Sequence, residues 1–245
     1  MFYTKGERAV APVRFRSGRL RGQMVLEHDS AALRAVLADP LAFTHSDSVT
    51  VLKDNPRSRV VRGWLDDRYV VVKQSHAKTP VKAFKRAFLP SRAARGWYAA
   101  HTVEAFGVPT ASAIAYVDMR HGPFRGHSWL VSEWVPGEDA RACLTSPTID
   151  PDERTRLIRA IADIYLRMHR ARITHGDNRP DNFLIHEGRP VLIDLDITVR
   201  HPPWSLVFGR YARRDVQNLI ARWHADPEIA AEFRRTFRDY GLDGA

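Results

Sequence analysis

Cysteine is almost absent: Cys143 stands alone in 245 residues. No intramolecular disulfide and no cysteine-based zinc site can form, which suits a reducing compartment. Long apolar runs are missing too. No stretch approaches the ~18 residues of a spanning helix. Residues 1–8 lack the apolar core of a signal peptide. A soluble, cytoplasmic protein is expected, free to touch a membrane from that side. No Gly-x-Ser-x-Gly elbow and no Walker-type phosphate loop occurs. The 11 histidines do not supply a metal pattern, since His121/His127, His169/His175 and His101 with Glu104 match no zinc spacing. Acid is short as well, with 28 Asp+Glu against 38 Lys+Arg, a net +10. That balance points to a polyanionic partner: nucleic acid, a membrane surface, a phosphosugar or a nucleotide. Composition does not choose among them. The arginines are scattered and no nucleic-acid-binding signature appears, so nucleic acid is not the expected partner.

What remains is ordinary globular material, 44% hydrophobic and 27% charged, long enough for one or two domains with a real core. Residues 1 to about 27 are basic and weakly patterned. Asp29-Ser30 caps a helix, with Leu33, Val36, Leu37 and Leu41 at helical spacing, which Pro40 is expected to end. From Ser48 three short strands follow as a meander, the last being Tyr69-Val70-Val71-Val72-Lys73. Residues 80–106 read mainly as helix interrupted at Pro90, and two more strands lie on either side of a loop at 118–127. After Pro136-Gly137 the pattern turns helical. Leu157, Ile158, Ile161, Ile164, Tyr165 and Met168 mark the clearest helix. A hairpin follows around His186-Glu187-Gly188-Arg189, and the chain is helical from about Asp215. The order predicts an α+β fold of two lobes: an extension at 1–45, a strand-rich N-lobe at 46–135 and a helical C-lobe at 136–245.

The sharpest motif is His175-Gly176-Asp177-Asn178-Arg179-Pro180-Asp181-Asn182, between the long helix and the hairpin that ends in Ile193-Asp194-Leu195-Asp196. An Asp, an Asn five residues on and a second Asp across a hairpin can converge on one small volume. Amide and carboxylate oxygens with retained waters suit Mg²⁺, and Asp177 is left to accept a hydroxyl proton. This is the layout of a protein-kinase-like catalytic loop and metal loop. In that reading Asn182 and Asp194 hold Mg²⁺ on ATP, and Arg179 steadies the transferred phosphoryl group. Lys73 holds the α- and β-phosphates, with a solvent-facing lysine as the plain alternative. Trp129-Leu130-Val131-Ser132-Glu133-Trp134-Val135-Pro136-Gly137 fits the connector between lobes. There, backbone groups of Glu133 and Val135 meet adenine. Asp215 either braces the catalytic loop or is a simple acid near a helix start.

These residues resemble the lipopolysaccharide core kinases of the Kdo-kinase/WaaP type. The likeness lies in His175-Gly176-Asp177, in Leu192-Ile193-Asp194-Leu195-Asp196, in Pro90-Ser91-Arg92-Ala93-Ala94-Arg95-Gly96-Trp97 followed by Gly107-Val108-Pro109-Thr110, and in the connector. It covers about residues 48–222. The resemblance implies a protein-kinase-like fold, with His175 and Asp215 supporting the catalytic loop. It also implies ATP- and Mg²⁺-dependent phosphorylation of a Kdo or heptose hydroxyl in the lipopolysaccharide inner core. The protein would then work in the cytoplasm, peripheral on the inner membrane's cytoplasmic face. The basic run Lys78, Lys82, Lys85, Arg86, Arg92 and Arg95, with Phe84 and Phe88, suits such a surface, or else is an exposed helix packed by its Phe pair. The sequence departs from the pattern in having no glycine-rich loop. Residues 53–59 take its place, where Arg57, Ser58 and Arg59 are expected to grip phosphate. It also lacks a clear Glu partner for Lys73, Glu104 lying late in the helix. A non-catalytic nucleotide-binding scaffold, or a protein or small-metabolite kinase, is the alternative on the same fold.

Overall fold

The computed structural model describes residues 12–76, 89–122 and 124–242. They fall into two compact units. One is drawn from the chain up to His101 plus Ala111–Trp134, the other from Thr102–Thr110 plus the chain from Val135 onward.

The first unit opens with the hairpin β1 (Pro12–Ser17) and β2 (Leu20–Val25), turning at a left-handed Gly18. The helix α1 (Ala31–Ala38) follows, its Leu33 N–H capped by the Ser30 hydroxyl. Pro40 does not merely end that helix. It opens a second, α2 (Pro40–Thr44), because a proline in the first turn has no N–H to leave unpaired. The meander β3 (Thr50–Asn55), β4 (Ser58–Leu65) and β5 (Arg68–Ser75) comes next. Then come α3 (Arg92–Ala105), β6 (Ala113–His121) and β7 (Phe124–Glu133). All the strands pair antiparallel in one sheet ordered β1-β2-β6-β7-β5-β4-β3.

Residues 12–25, set by sequence pattern in an extension ahead of the first lobe, are strands of this sheet. β2 pairs with β6. Phe15, Leu20, Met24, Leu33, Val36 and Leu37 share one core with Val61, Val70, Val72, Val117 and Trp129. Their apolar residues are too sparse among arginines to register as a strand pattern. Pairing with β6 supplies what local sequence does not. Of the basic run, Lys78, Lys82, Lys85 and Arg86, with Phe84 and Phe88, lie outside the described residues. Arg92 and Arg95 lie on α3, which starts after Pro90 with the Ser91 hydroxyl accepting the Ala94 N–H.

The second unit comprises β8 (Glu138–Asp139), α4 (Ala140–Thr145), α5 (Pro151–Arg170), β9 (Ile173–Thr174), β10 (Phe183–His186), β11 (Arg189–Leu192), β12 (Val199–Arg200), α6 (Phe208–Ala221) and α7 (Pro227–Asp239). α5 is well specified at both ends. Asp150 caps it, Pro151, Asp152 and Glu153 fill its first turn, and Arg167, His169 and Arg170 sit in its last, matching the helix dipole. Its buried face carries Leu157, Ile158, Ile161, Ile164, Tyr165 and Met168. Tyr165 meets Phe237 edge-on at 5.6 Å, and Phe233 stacks between Trp223 and Phe237. The β10–β11 hairpin turns on Glu187 and Gly188, both at positive φ, the two-residue geometry whose twist matches its strands.

Gly22 tests whether the first hairpin belongs to the fold. A Cβ there would stand 1.9 Å from the Tyr116 carbonyl oxygen across the β2–β6 ladder. Gly22→Ala is expected to destabilise the protein by about 1–3 kcal/mol, read as a drop in thermal midpoint. An unchanged midpoint would mean that β2 is not held against β6 in solution.

Candidate active site

The site grows from the point where α5 ends and the chain must return toward α6. Arg172 takes a left-handed conformation, φ +57°, and the chain passes through β9 into His175-Gly176-Asp177. Gly176 sits at φ +86°, which explains the glycine: a side chain would be strained there and its Cβ would press on the Ile197 carbonyl at 3.2 Å.

Asp215, buried on α6, fixes this turn. Its carboxylate accepts the His175 N–H at 2.6 Å, the Gly176 N–H at 3.2 Å and the Asn178 side-chain amide at 2.8 Å. His169 Nε2 lies 3.9 Å away. Burial works against the charge on Asp215. The nearby His169 ring, the Asn178 amide and the His175 N–H together outweigh it and hold the carboxyl below its ordinary 3.8. Asn178 is pinned from its other end by Tyr165, whose hydroxyl donates to Oδ1 at 2.8 Å. Burial first, then the Asp215 and Asp177 charges, push the Tyr165 phenol well up, so it stays a neutral donor.

Asp177 is therefore held by its backbone. Its N–H donates to His175 Nδ1 at 3.2 Å, and its carbonyl accepts the Asn182 amide at 2.8 Å. Burial lowers the His175 pKa against the pull of Asp215 and the Ile193 carbonyl. A neutral ring can keep Nδ1 as an acceptor. The Asp177 carboxylate makes no hydrogen bond or ion pair with the described residues.

Asn182 closes a 3-10 turn, Pro180–Asn182, and its carbonyl accepts the Ile193 N–H at 2.8 Å. That bond brings the metal-loop segment beside the catalytic-type loop. Asp194 follows immediately, at φ +59°, a conformation costly for any residue but glycine. With the Asn182 nitrogen committed to Asp177, Oδ1 is the atom left to face a cation. No cluster of three or more His, Cys, Asp and Glu exists among the described residues. An amide oxygen and a carboxylate are the ligand types taken by a cation that keeps waters and phosphate oxygens as its other ligands, as Mg²⁺ does. Arg179 is exposed, and its guanidinium pairs with Asp181 at 2.7 Å. Arg141 lies 3.5 Å from the same carboxylate.

Four expected nucleotide residues lie elsewhere in the chain. Lys73 is on β5, opposite Val60 and Leu130, on the alternate positions to buried Val70 and Val72. Ser58 begins β4, buried, its N–H donating to Asn55 Oδ1 in the tight turn before it. The neighbouring Arg59 is committed to the Thr44 carbonyl and the Asp54 carboxylate. Its expected grip on phosphate gives way to holding α2 and β3 together. Glu133 ends β7. Its N–H is used by the Ser112 carbonyl and its carboxylate meets Arg68 at 3.2 Å, so its carbonyl is the backbone group left for an adenine edge. Val135 follows at the start of the second unit.

Sequence reasoning passed over Asn178, Tyr165 and His169. Asn178 stands inside the catalytic-type motif without an assigned role, and Tyr165 counts as one more apolar position on α5. The polar tip of a tyrosine inside an apolar stripe is a signal that it has a buried partner.

A model of the lipopolysaccharide kinase (Kdo/WaaP) family matches residues 58–224. The RIO-type serine/threonine-protein kinase Rio1 of Haloferax volcanii is 34% identical over 117 residues, 47% of this chain and 40% of that protein. The lipopolysaccharide core heptose(I) kinase WaaP of Pseudomonas aeruginosa is 31% identical over 123 residues, 44% of this chain and 42% of that protein. The matched part thus spans about two-fifths of each curated relative's length. A solved structure of WaaP in complex with acyl carrier protein superposes with a TM-score of 0.59. It covers 83% of this chain and 84% of that one at 23% identity, a likeness of fold. The α+β fold is protein-kinase-like.

Acid should undo the brace in two stages. His175 is kept neutral by burial, so the unfolded chain binds its proton more readily. Stability is then lost as pH falls below about 6.5. Asp215, lowered in the fold, adds stability above its ordinary 3.8 that disappears as pH drops through its folded value. Thermal midpoints of wild type and Asp215→Asn, measured from pH 7 to 3, are expected to converge at the acid end. Parallel curves would show that the Asp215 charge does not support the loop.

Proposed function

The chain belongs to the lipopolysaccharide kinase (Kdo/WaaP) family, and from that premise we propose that it phosphorylates a sugar hydroxyl of the lipopolysaccharide inner core, on Kdo or heptose, using ATP. The observation that carries the reading is Asp177, a carboxylate with no partner among the described residues, on a loop held through its backbone. It is free to hydrogen-bond an acceptor hydroxyl and take its proton as the phosphoryl group departs. Asn182 and Asp194 would hold Mg²⁺, which when bound neutralises charge on the phosphates.

The other residues bind and orient. Lys73 is assigned to the α- and β-phosphates and the Ser58 turn to the phosphate tail. Arg179 releases Asp181 to meet the transferred group, and the Glu133 carbonyl and Val135 backbone meet the adenine edge. His175 and Asp215 act through Asp177, as positioning residues. Because the transition state is loose, catalysis is mostly orientation and charge stabilisation. The acceptor is a membrane-anchored anionic glycolipid. The protein would work peripherally on the cytoplasmic face of the inner membrane, and no described helix is long and apolar enough to cross one. The likeness to Rio1 supports a second reading, transfer to protein.

Labelled ATP with Mg²⁺, offered to a cell extract containing lipopolysaccharide whose inner core carries no phosphate, separates the two. Label is expected in lipid-linked saccharide. Label confined to protein would replace the sugar-kinase reading. Asp177→Ala is expected to cut transfer at least about 100-fold, leaving the thermal midpoint and nucleotide affinity near wild type. Full transfer in that variant would remove Asp177 from the chemistry.

A further inference from the structure

Between Asp194 and Asp215 the second unit carries a feature that the proposed chemistry does not use. Residues 202–207, Pro-Pro-Trp-Ser-Leu-Val, form a turn whose apolar side chains point into solvent. Trp204 is 76% exposed, Leu206 99% and Val207 52%. The turn is held from behind. Arg172 Nε donates to the Pro202 carbonyl at 3.1 Å and Nη2 to the Ser205 carbonyl at 2.9 Å, while its guanidinium lies 4.4 Å over the Phe208 ring. His201 is buried, bonded to Thr174 at 2.8 Å, and packs against Phe208 and Tyr211. The left-handed Arg172 is part of this scaffold. The turn is presented rigidly, so binding through it costs little ordering.

Charge follows directly. α6 continues from the turn with Arg210, Arg213 and Arg214, all exposed, at helical spacings from Val207 that share one side of the helix. No acidic residue occurs from 197 to 214. A convex tip of Trp and Leu with a row of arginines behind it fits one partner class. The tip enters the headgroup and acyl boundary of a bilayer, and the arginines meet anionic headgroups. A folded protein partner would instead need a pocket to receive a protruding Trp204.

We infer that residues 202–214 dock the protein on an anionic lipid bilayer, with Trp204, Leu206 and Val207 inserted and Arg210, Arg213 and Arg214 on the headgroups. The inference rests on the glycolipid-kinase reading for its purpose but not for its evidence. The docking segment also runs between Asp194 and the loop-bracing Asp215. The surface that finds the bilayer is thus on the same stretch of chain as the site that needs a membrane-borne acceptor.

The test uses the full chain and vesicles of phosphatidylcholine with or without phosphatidylglycerol. Sedimentation with the phosphatidylglycerol vesicles is expected, weakening as salt rises. Trp204→Ser/Leu206→Ser is expected to weaken it at least about tenfold with an unchanged thermal midpoint. Arg210→Gln/Arg213→Gln/Arg214→Gln is expected to flatten the salt dependence. Lipids brominated on the acyl chains should quench tryptophan fluorescence in wild type and much less in Trp204→Phe. Binding that neither variant set alters, or equal quenching in Trp204→Phe, would each overturn the inference. Transfer to a delipidated core saccharide should be the same in wild type and Trp204→Ser/Leu206→Ser. A wild type inactive on every acceptor yet bound to vesicles would sink the kinase reading and leave the docking surface standing.

Discussion

A single buried carboxylate organises the second unit. Asp215 receives two backbone N–H groups and one side-chain amide from three of four consecutive residues, 175 to 178. Hydrogen bonds to a charged acceptor contribute about 1.5–3 kcal/mol each, and stranding their donors in a buried site costs as much again. These bonds favour the one loop conformation that satisfies all three donors at once. Everything functional hangs from that choice. Gly176 sits where a side chain would be strained, Asn178 is trapped between Asp215 and Tyr165, and Asp177 projects a carboxylate that bonds to none of the described residues. The cost of burying a charge is met by concentrating donors on it. That is why the helix supplying Asp215 and the helix supplying Tyr165 both converge on this loop.

A second constraint operates one step further on. The Ile193 N–H on the Asn182 carbonyl ties the hairpin's end to the 3-10 turn. Asp194 then enters a left-handed conformation that only a well-determined surrounding can hold. Strain of this sort directs a carboxylate where an ordinary extended backbone would not. Thus the two acids of the proposed chemistry are placed by opposite means. Asp177 is positioned by satisfied hydrogen bonds, Asp194 by a strained backbone that its neighbours enforce.

The excess of positive charge divides along similar lines. Several arginines have structural partners: Arg59 holds the Thr44 carbonyl, Arg125 meets the buried Asp118, Arg167 reaches the Gly107 carbonyl, and Arg172 braces the 202–205 turn. These side chains are not available to a polyanion. Arg210, Arg213 and Arg214 remain exposed beside an apolar tip. A net charge says that an anionic partner is favoured; only the distribution of partners says where it can be met.

Much was legible in the sequence because it was local. The capped and periodic α5, the Glu187-Gly188 hairpin and the spacing of Asp177, Asn182 and Asp194 depend on short-range chemistry that residue types write down directly. The loop's hold on Asp215 was half legible: an aspartate within a helix-forming stretch can be a helix acid or a brace, and spacing does not decide. Long-range pairing decided the rest. Residues 12–25 read as a basic extension because their few apolar residues acquire meaning only against β6. Arg59 read as a phosphate grip until Thr44 and Asp54 claimed it. The roles of Asn178 and Tyr165 could not be read from motif or periodicity, since their bond joins a turn to a helix face. The sequence by itself determined which chemical groups this protein owns and their order along the chain. The tertiary structure alone decided which groups are consumed in holding the fold and which are left over to act, because a hydrogen-bond partner is assigned by proximity in space and not by neighbourhood in sequence.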